Sequence, residues 1–155
     1  DIGVVNYIMD KEELPLDSIN TVFNKQSGML GVTGVSSDMR EIESAAAEDN
    51  KRAKLGLDMY FYRIKKYIGA YTAALGGIDL LIFAGGIGEN GVETRAEICA
   101  NMEYLGVEID PERNKVRGEE QVISTENSKV KVMVVPTNEE LVIAEDTLRI
   151  VSEMN

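Results

Sequence analysis

This sequence predicts an α/β fold, on three observations. Residues 78–84, IDLLIFA, form a continuous apolar run of strand length, as expected for a strand covered on both faces. Segments with helically spaced apolar residues stand before and after it. Two further strand-like runs, QVIS (121–124) and VKVMVV (130–135), follow, separated by a polar turn, so strands alternate with helices. No internal repeat or long linker interrupts the pattern, and the 155 residues read as one domain, 1–155.

Taken in order, residues 1–9, DIGVVNYIM, are apolar and extended in character. Leu16, Ile19, Val22 and Phe23 then keep helical spacing, with Gly28 as the stop. MLGVTGVSSDMR (29–40) is rich in Gly and Ser and predicts a loop. From Glu41 to Leu75 the pattern is helical, in one or two helices, and Gly76-Gly77 ends it. After the strand at 78–84, residues 92–106 predict an amphipathic helix with Val92, Ala96, Cys99 and Met102 inward and Gly106 as its stop. VEI (107–109) is strand-like, and a helix with Leu141, Val142, Leu148 and Val151 on its apolar positions closes the chain.

Composition narrows the chemistry. Hydrophobic content of 44% without low-complexity tracts indicates a folded protein. The formal charge of −11 argues against a nucleic-acid partner, whose phosphates need clustered cations. No apolar run approaches a membrane span, no secretory signal stands at the start, and the lone Cys99 suits a reducing cytoplasm. With no histidine, chemistry must rest on carboxylates, Arg, Lys, Asn, backbone dipoles or a hard cation.

The densest signal is LLIFAGGIGENG, residues 80–91. Gly86-x-Gly88-x-x-Gly91 after a strand fits a Rossmann dinucleotide fingerprint, with Asp110 about 20 residues on as the ribose acid. Against it, Glu89 would sit beside a pyrophosphate, and too little chain follows for a full dinucleotide fold. A tight turn joining strand to helix explains one or two glycines better than four.

The segment FAGGIGENGVETRAEICANMEYLGVEID (83–110) resembles the acetokinase family, in which a strand, Gly-Gly-Ile-Gly-Glu-Asn and an Arg-bearing helix follow in order. NKQSGMLGVTGVSSDMR (24–40), with Thr33 where Ser is common, and VVPTNEELVIAEDT (134–147) are similar to two further motifs of that family in the same order. The match covers nearly the whole chain. It implies a ribonuclease-H-like domain of the sugar kinase, heat-shock and actin superfamily, with a mixed sheet and flanking helices. It also implies reversible transfer of the γ-phosphoryl group of ATP to acetate, giving acetyl phosphate and ADP, with Mg2+. Propionate and butyrate kinases share the superfamily site. By that resemblance the chain is expected to be the C-terminal, nucleotide-side domain, with the acetate pocket and catalytic Arg and His residues in an N-terminal domain outside it. Alone it is expected to be inactive, to bind nucleotide weakly and to carry the homodimer surface.

Residue by residue, the resemblance places Asp38, Met39 and Arg40 on the adenosine side. Asp38 can accept from a hydroxyl or amino group, and the Arg40 guanidinium can stack on a base; equally, Asp38 can cap the helix near Glu41 and Arg40 can be solvated. Gly86, Ile87, Gly88, Glu89 and Asn90 become the loop against ATP or ADP, with Gly86 and Gly88 admitting close backbone approach. Asn90 can contact the nucleotide or cap the next helix. Thr137 and Glu140 form a capping-box pattern, leaving Glu139 as the magnesium carboxylate or as an acid complementing the helix dipole.

Overall fold

The computed structural model describes residues 1–154, and the chain folds as two compact units, Asp1–Arg63 and the residues from Ile64 onward. The first unit is helical. Helices α1 (Gly3–Glu12), α2 (Leu16–Lys25), α3 (Gly28–Thr33) and α4 (Met39–Ala47) precede α5 (Lys51–Leu75), along which the unit boundary falls. Ile42, Ala46 and Ala53 are its buried cluster, with Met29, Ala45 and Leu57 packed against them. Gly56 belongs to the same packing: a Cβ there would lie 2.5 Å from Thr33 Cγ2, so only a glycine lets α5 approach α3 this closely.

Two expectations for this unit are corrected. Residues 3–12 are helical, not extended; the Asp1 carboxylate accepts from the Gly3 N–H at 2.7 Å, and Glu13 closes the helix at φ 52°. The segment expected as a loop opens with α3, and the preceding helix stops at Lys25, before Gly28, where the Ser27 hydroxyl donates to the Val22 carbonyl. The helical stretch after Glu41 does divide in two, at Glu48–Asn50, and Gly76 and Gly77 end it with φ of 75° and 140°.

The second unit is α/β. Strands β1 (Leu80–Phe83), β2 (Gln121–Val122) and β3 (Lys131–Val134) form a sheet in the order β1-β3-β2. β1 runs parallel to β3 with Leu80 opposite Lys131 and Phe83 opposite Val134; β2 is antiparallel to β3. This is the mixed sheet expected, accompanied by α6 (Gly85–Asn90), α7 (Val92–Cys99) and α8 (Glu139–Glu153). Phe83, Val132 and Val134 are buried, whereas Leu80 and Ile82 are 44% and 51% exposed, so β1 is covered on one face only.

Other boundaries shift inward. α7 ends at Cys99 because Asn101 turns left-handed (φ 60°); a 3₁₀ turn, Glu103–Leu105, follows and Gly106 closes it. Ile98, Cys99 and Met102 are buried, but Ala96 faces solvent. The strand expected at 107–109 is reduced to one bridge between Ile109 and Ser124. None of the residues of α8 is buried, and Leu141, Val142, Leu148 and Val151 are all at least half exposed.

Candidate functional site

In the first unit, Asp38 is the N-cap of α4. Its carboxylate accepts from the Arg40 backbone N–H at 2.9 Å and from the Arg40 guanidinium at 3.1 and 2.6 Å. Those bonds, the side-chain one foremost, lower the Asp38 pKa to about 2. The capping alternative is therefore realised. Met39 is half-buried, and the Arg40 side chain stays 88% exposed. Its edge is held by Asp38, which fixes the guanidinium plane without using its faces.

In the second unit, β1 runs into extended Ala84 and then Gly85 (φ 68°), which opens α6. The residues expected as a loop, Gly86–Asn90, are thus one short helix. Asn90 is its last residue and does not cap α7; its side-chain amide donates to the Gly86 carbonyl at 3.0 Å. The two inner glycines differ. Gly86 is exposed, with no atom within 4 Å of where a Cβ would stand. At Gly88 a Cβ would meet the Phe83 carbonyl carbon at 3.1 Å, so its close approach is to the protein's own strand. Ile87 is 41% exposed. Glu89 turns to the chain before α8: one carboxylate oxygen accepts from the Thr137 N–H at 2.8 Å and the Thr137 hydroxyl at 2.9 Å. The backbone and then the hydroxyl of Thr137, with the Gly85 N–H, lower the Glu89 pKa.

One residue outside the expected site set, the arginine of the Arg-bearing helix, organises this turn. Arg95 on α7 is 0% exposed. Its Nη1 donates to the carbonyls of Gly88 (2.7 Å) and Glu89 (2.9 Å), its Nη2 to those of Asn114 and Val116 (both 2.7 Å), and its Nε to the Asn114 side chain (2.8 Å). All five N–H groups of the guanidinium are used, every one on a neutral oxygen. Burial lowers its pKa, first among the causes. The available signal was positional: Arg95 falls on the Val92, Cys99, Met102 stripe, where a charge on an inward face demands partners.

The capping box is also corrected. Asn138, not Thr137, caps α8, accepting from the Leu141 N–H at 3.0 Å, because Thr137 is taken by Glu89. Glu139 and Glu140 are the first two helical residues, both exposed, and Glu140 does not stand at the third helical position that a capping box requires. Among the described residues no cluster of three or more Asp, Glu or Cys could hold a metal. Glu139 therefore suits magnesium only as one carboxylate beside water and phosphate oxygens, which is how that ion is commonly met.

The dinucleotide alternative loses its supports. β2 runs antiparallel, and the Asp110 carboxylate accepts from the backbone N–H groups of Glu112 (2.8 Å) and Arg113 (3.1 Å), which lower its pKa. Asp110 is a turn cap. A cavity of about 570 Å³ lies along α7, lined by Val92, Cys99, Val107, Ile109 and Asn114 among others, and none of the expected site residues reaches it.

The sequence profile of the acetokinase family matches residues 1–145. The acetate kinase of Phocaeicola vulgatus is 58% identical over 153 residues, covering 99% of this chain and 38% of that protein. The acetate kinase of Treponema denticola is 54% identical over 151 residues, covering 97% of this chain and 38% of that protein. The crystal structure of Porphyromonas gingivalis acetate kinase superposes with a TM-score of 0.88 at 53% identity, covering 97% of this chain and 38% of that one. That of a propionate kinase from Francisella tularensis gives 0.82 at 38% identity, covering 93% and 36%. The chain thus spans 38% of the length of these acetate kinases.

Proposed function

Because this chain belongs to the acetokinase family, we propose that it is the C-terminal, nucleotide-side domain (1–155) of a kinase that moves the γ-phosphoryl group of ATP to acetate, reversibly. In that reading Asp38, Met39 and Arg40 contact the adenosine, Gly86–Asn90 face the phosphates, and Glu139 meets the magnesium that arrives with the nucleotide. The observation that supports it is the pairing of an open Gly86 with a tethered Glu89 at the end of β1. An anion can approach exposed main chain there, and the neighbouring carboxylate is held by Thr137 instead of pointing freely at it.

Acetate is the proposed acceptor because the curated relatives at 54–58% identity are acetate kinases. Propionate or butyrate is the second reading. Phosphoryl transfer needs an in-line arrangement of donor, acceptor and charge-neutralising groups, so the isolated chain is expected to bind nucleotide weakly and to transfer nothing. A cytoplasmic homodimer is the proposed setting. Uncovered apolar residues, such as Leu148 at 69% and Tyr71 at 63% exposure, support further polypeptide or a second copy against these helices. Among the described residues no helix is long and apolar enough to cross a membrane.

Calorimetric titration tests the reading. Magnesium-dependent ADP binding, weakened by Arg40→Ala and by Asn90→Ala, is expected. Tighter binding of NAD than of ADP overturns it.

A further inference from the structure

We propose that Arg95 is the positioning residue of the nucleotide turn, setting the place of the Gly85–Gly86 main chain by gripping the other end of α6. The proposal rests on the reading of Gly86–Asn90 as the nucleotide-facing segment. At six residues α6 is too short to be stable by itself. Its carbonyls at Gly88 and Glu89 are held by the Arg95 guanidinium, where a positive charge also complements the C-terminal end of the helix dipole. The same guanidinium holds the Asn114 and Val116 carbonyls, so α6 and the 114–116 turn are locked through one planar group. Asn114 completes the lock by donating its side-chain amide to the Val92 carbonyl at the start of α7.

Glu89 carries the restraint onward. Its carbonyl accepts from Arg95 and from the Gly118 N–H, while its carboxylate holds Thr137, one residue before the cap of α8 and two before Glu139. Arg95 itself is fully buried with every donor engaged, so it meets no ligand and acts only through these carbonyls. A lysine keeps the charge but not the five-donor fork, and cannot reach both segments.

Amide hydrogen exchange on the full chain without nucleotide, followed by Mg-ADP titration, tests this in Arg95→Lys. The Gly91 amide reports on α6 and the Thr137 amide on the Glu89 tether; Ile123 and Lys131 report on the sheet. Exchange at Gly91 and Thr137 should rise about tenfold, as expected for loss of a charge-assisted hydrogen bond, with Ile123 and Lys131 unchanged. ADP affinity should fall by about the same factor. Unchanged Gly91 and Thr137 exchange overturns the proposal, as does an equal rise at the sheet amides, which marks a general stability role. Unchanged ADP affinity with a loosened turn overturns it too. Should the wild-type chain take up no ADP, the nucleotide reading fails, and the exchange comparison alone decides whether Arg95 sets the turn. If Arg95→Lys does not fold, Asn114→Ala, which removes the Nε acceptor, gives the same comparison.

Discussion

The carboxylate of Glu89 and the backbone N–H and hydroxyl of Thr137, 48 residues apart in the chain, are joined by two hydrogen bonds to a single oxygen. The two bonds tie the glycine turn to the entrance of α8 and fix the direction in which the carboxylate points. Because both donors favour the ionised carboxylate, the folded pKa of Glu89 lies below its ordinary 4.5. Its contribution to stability is present above the unfolded pKa and is lost as pH falls through the lower folded value. The Thr137 amide resonance should therefore titrate with a midpoint below 4.5. A midpoint at or above that value would show that the tether does not exist in solution.

Asp38 supplies a second acid-range marker in the first unit. Its pKa is lowered from 3.8 to about 2 by Arg40, so the stabilisation it contributes is present above 3.8 and disappears as pH falls toward 2. Asp38→Asn should flatten the dependence of stability on pH across that window and lower the melting temperature at pH 7. Denaturant unfolding between pH 2 and 5 measures the first, and a thermal melt at pH 7 the second. Parallel curves for the two proteins would show that the Asp38–Arg40 contact is not formed in solution.

The cap of α8 separates two neighbouring side chains. Asn138→Ala removes the acceptor for the Leu141 N–H and should destabilise the helix by about 1 kcal/mol. Glu140→Ala, by contrast, should leave it within about 0.5 kcal/mol. Exchange of the Leu141 amide reads the difference, and a larger effect from Glu140 would restore the capping box predicted from Thr137.

That misplaced cap shows what a linear pattern can and cannot carry. The apolar strands 80–83 and 131–134, the split helical stretch and its Gly76-Gly77 stop were legible because burial period and left-handed turns are written locally. Thr137 matched its local pattern, but Glu89, 48 residues away, claims its hydroxyl and shifts the cap by one position. Arg95 was present as a charge on an apolar stripe, yet its acceptors are backbone carbonyls, which no residue letter records. Residues 3–12 show the converse: VVNYIM has strand-like composition, but an extended segment needs a ladder partner, whereas a helix satisfies its own backbone and the Asp1 carboxylate takes up its first N–H.

The two inner glycines of the turn give the sharpest division between folding and binding. Gly86 lies inside a helix with open space where a side chain would grow. Gly86→Ala should thus keep stability or raise it by up to about 1 kcal/mol, as Ala does in helices, while its methyl group holds an approaching phosphate off the main chain and weakens ADP binding. Gly88→Ala forces a carbon against the Phe83 backbone at 3.1 Å, where β1 is held by its pairing with β3 and α6 by the Arg95 grip. It should cost about 1–3 kcal/mol, as overpacking does. Thermal melts set beside ADP titrations of both variants check the contrast. If Gly86→Ala binds ADP as the wild type does, the open surface above Gly86 is not where the phosphates lie, and the anion must be met elsewhere on the turn.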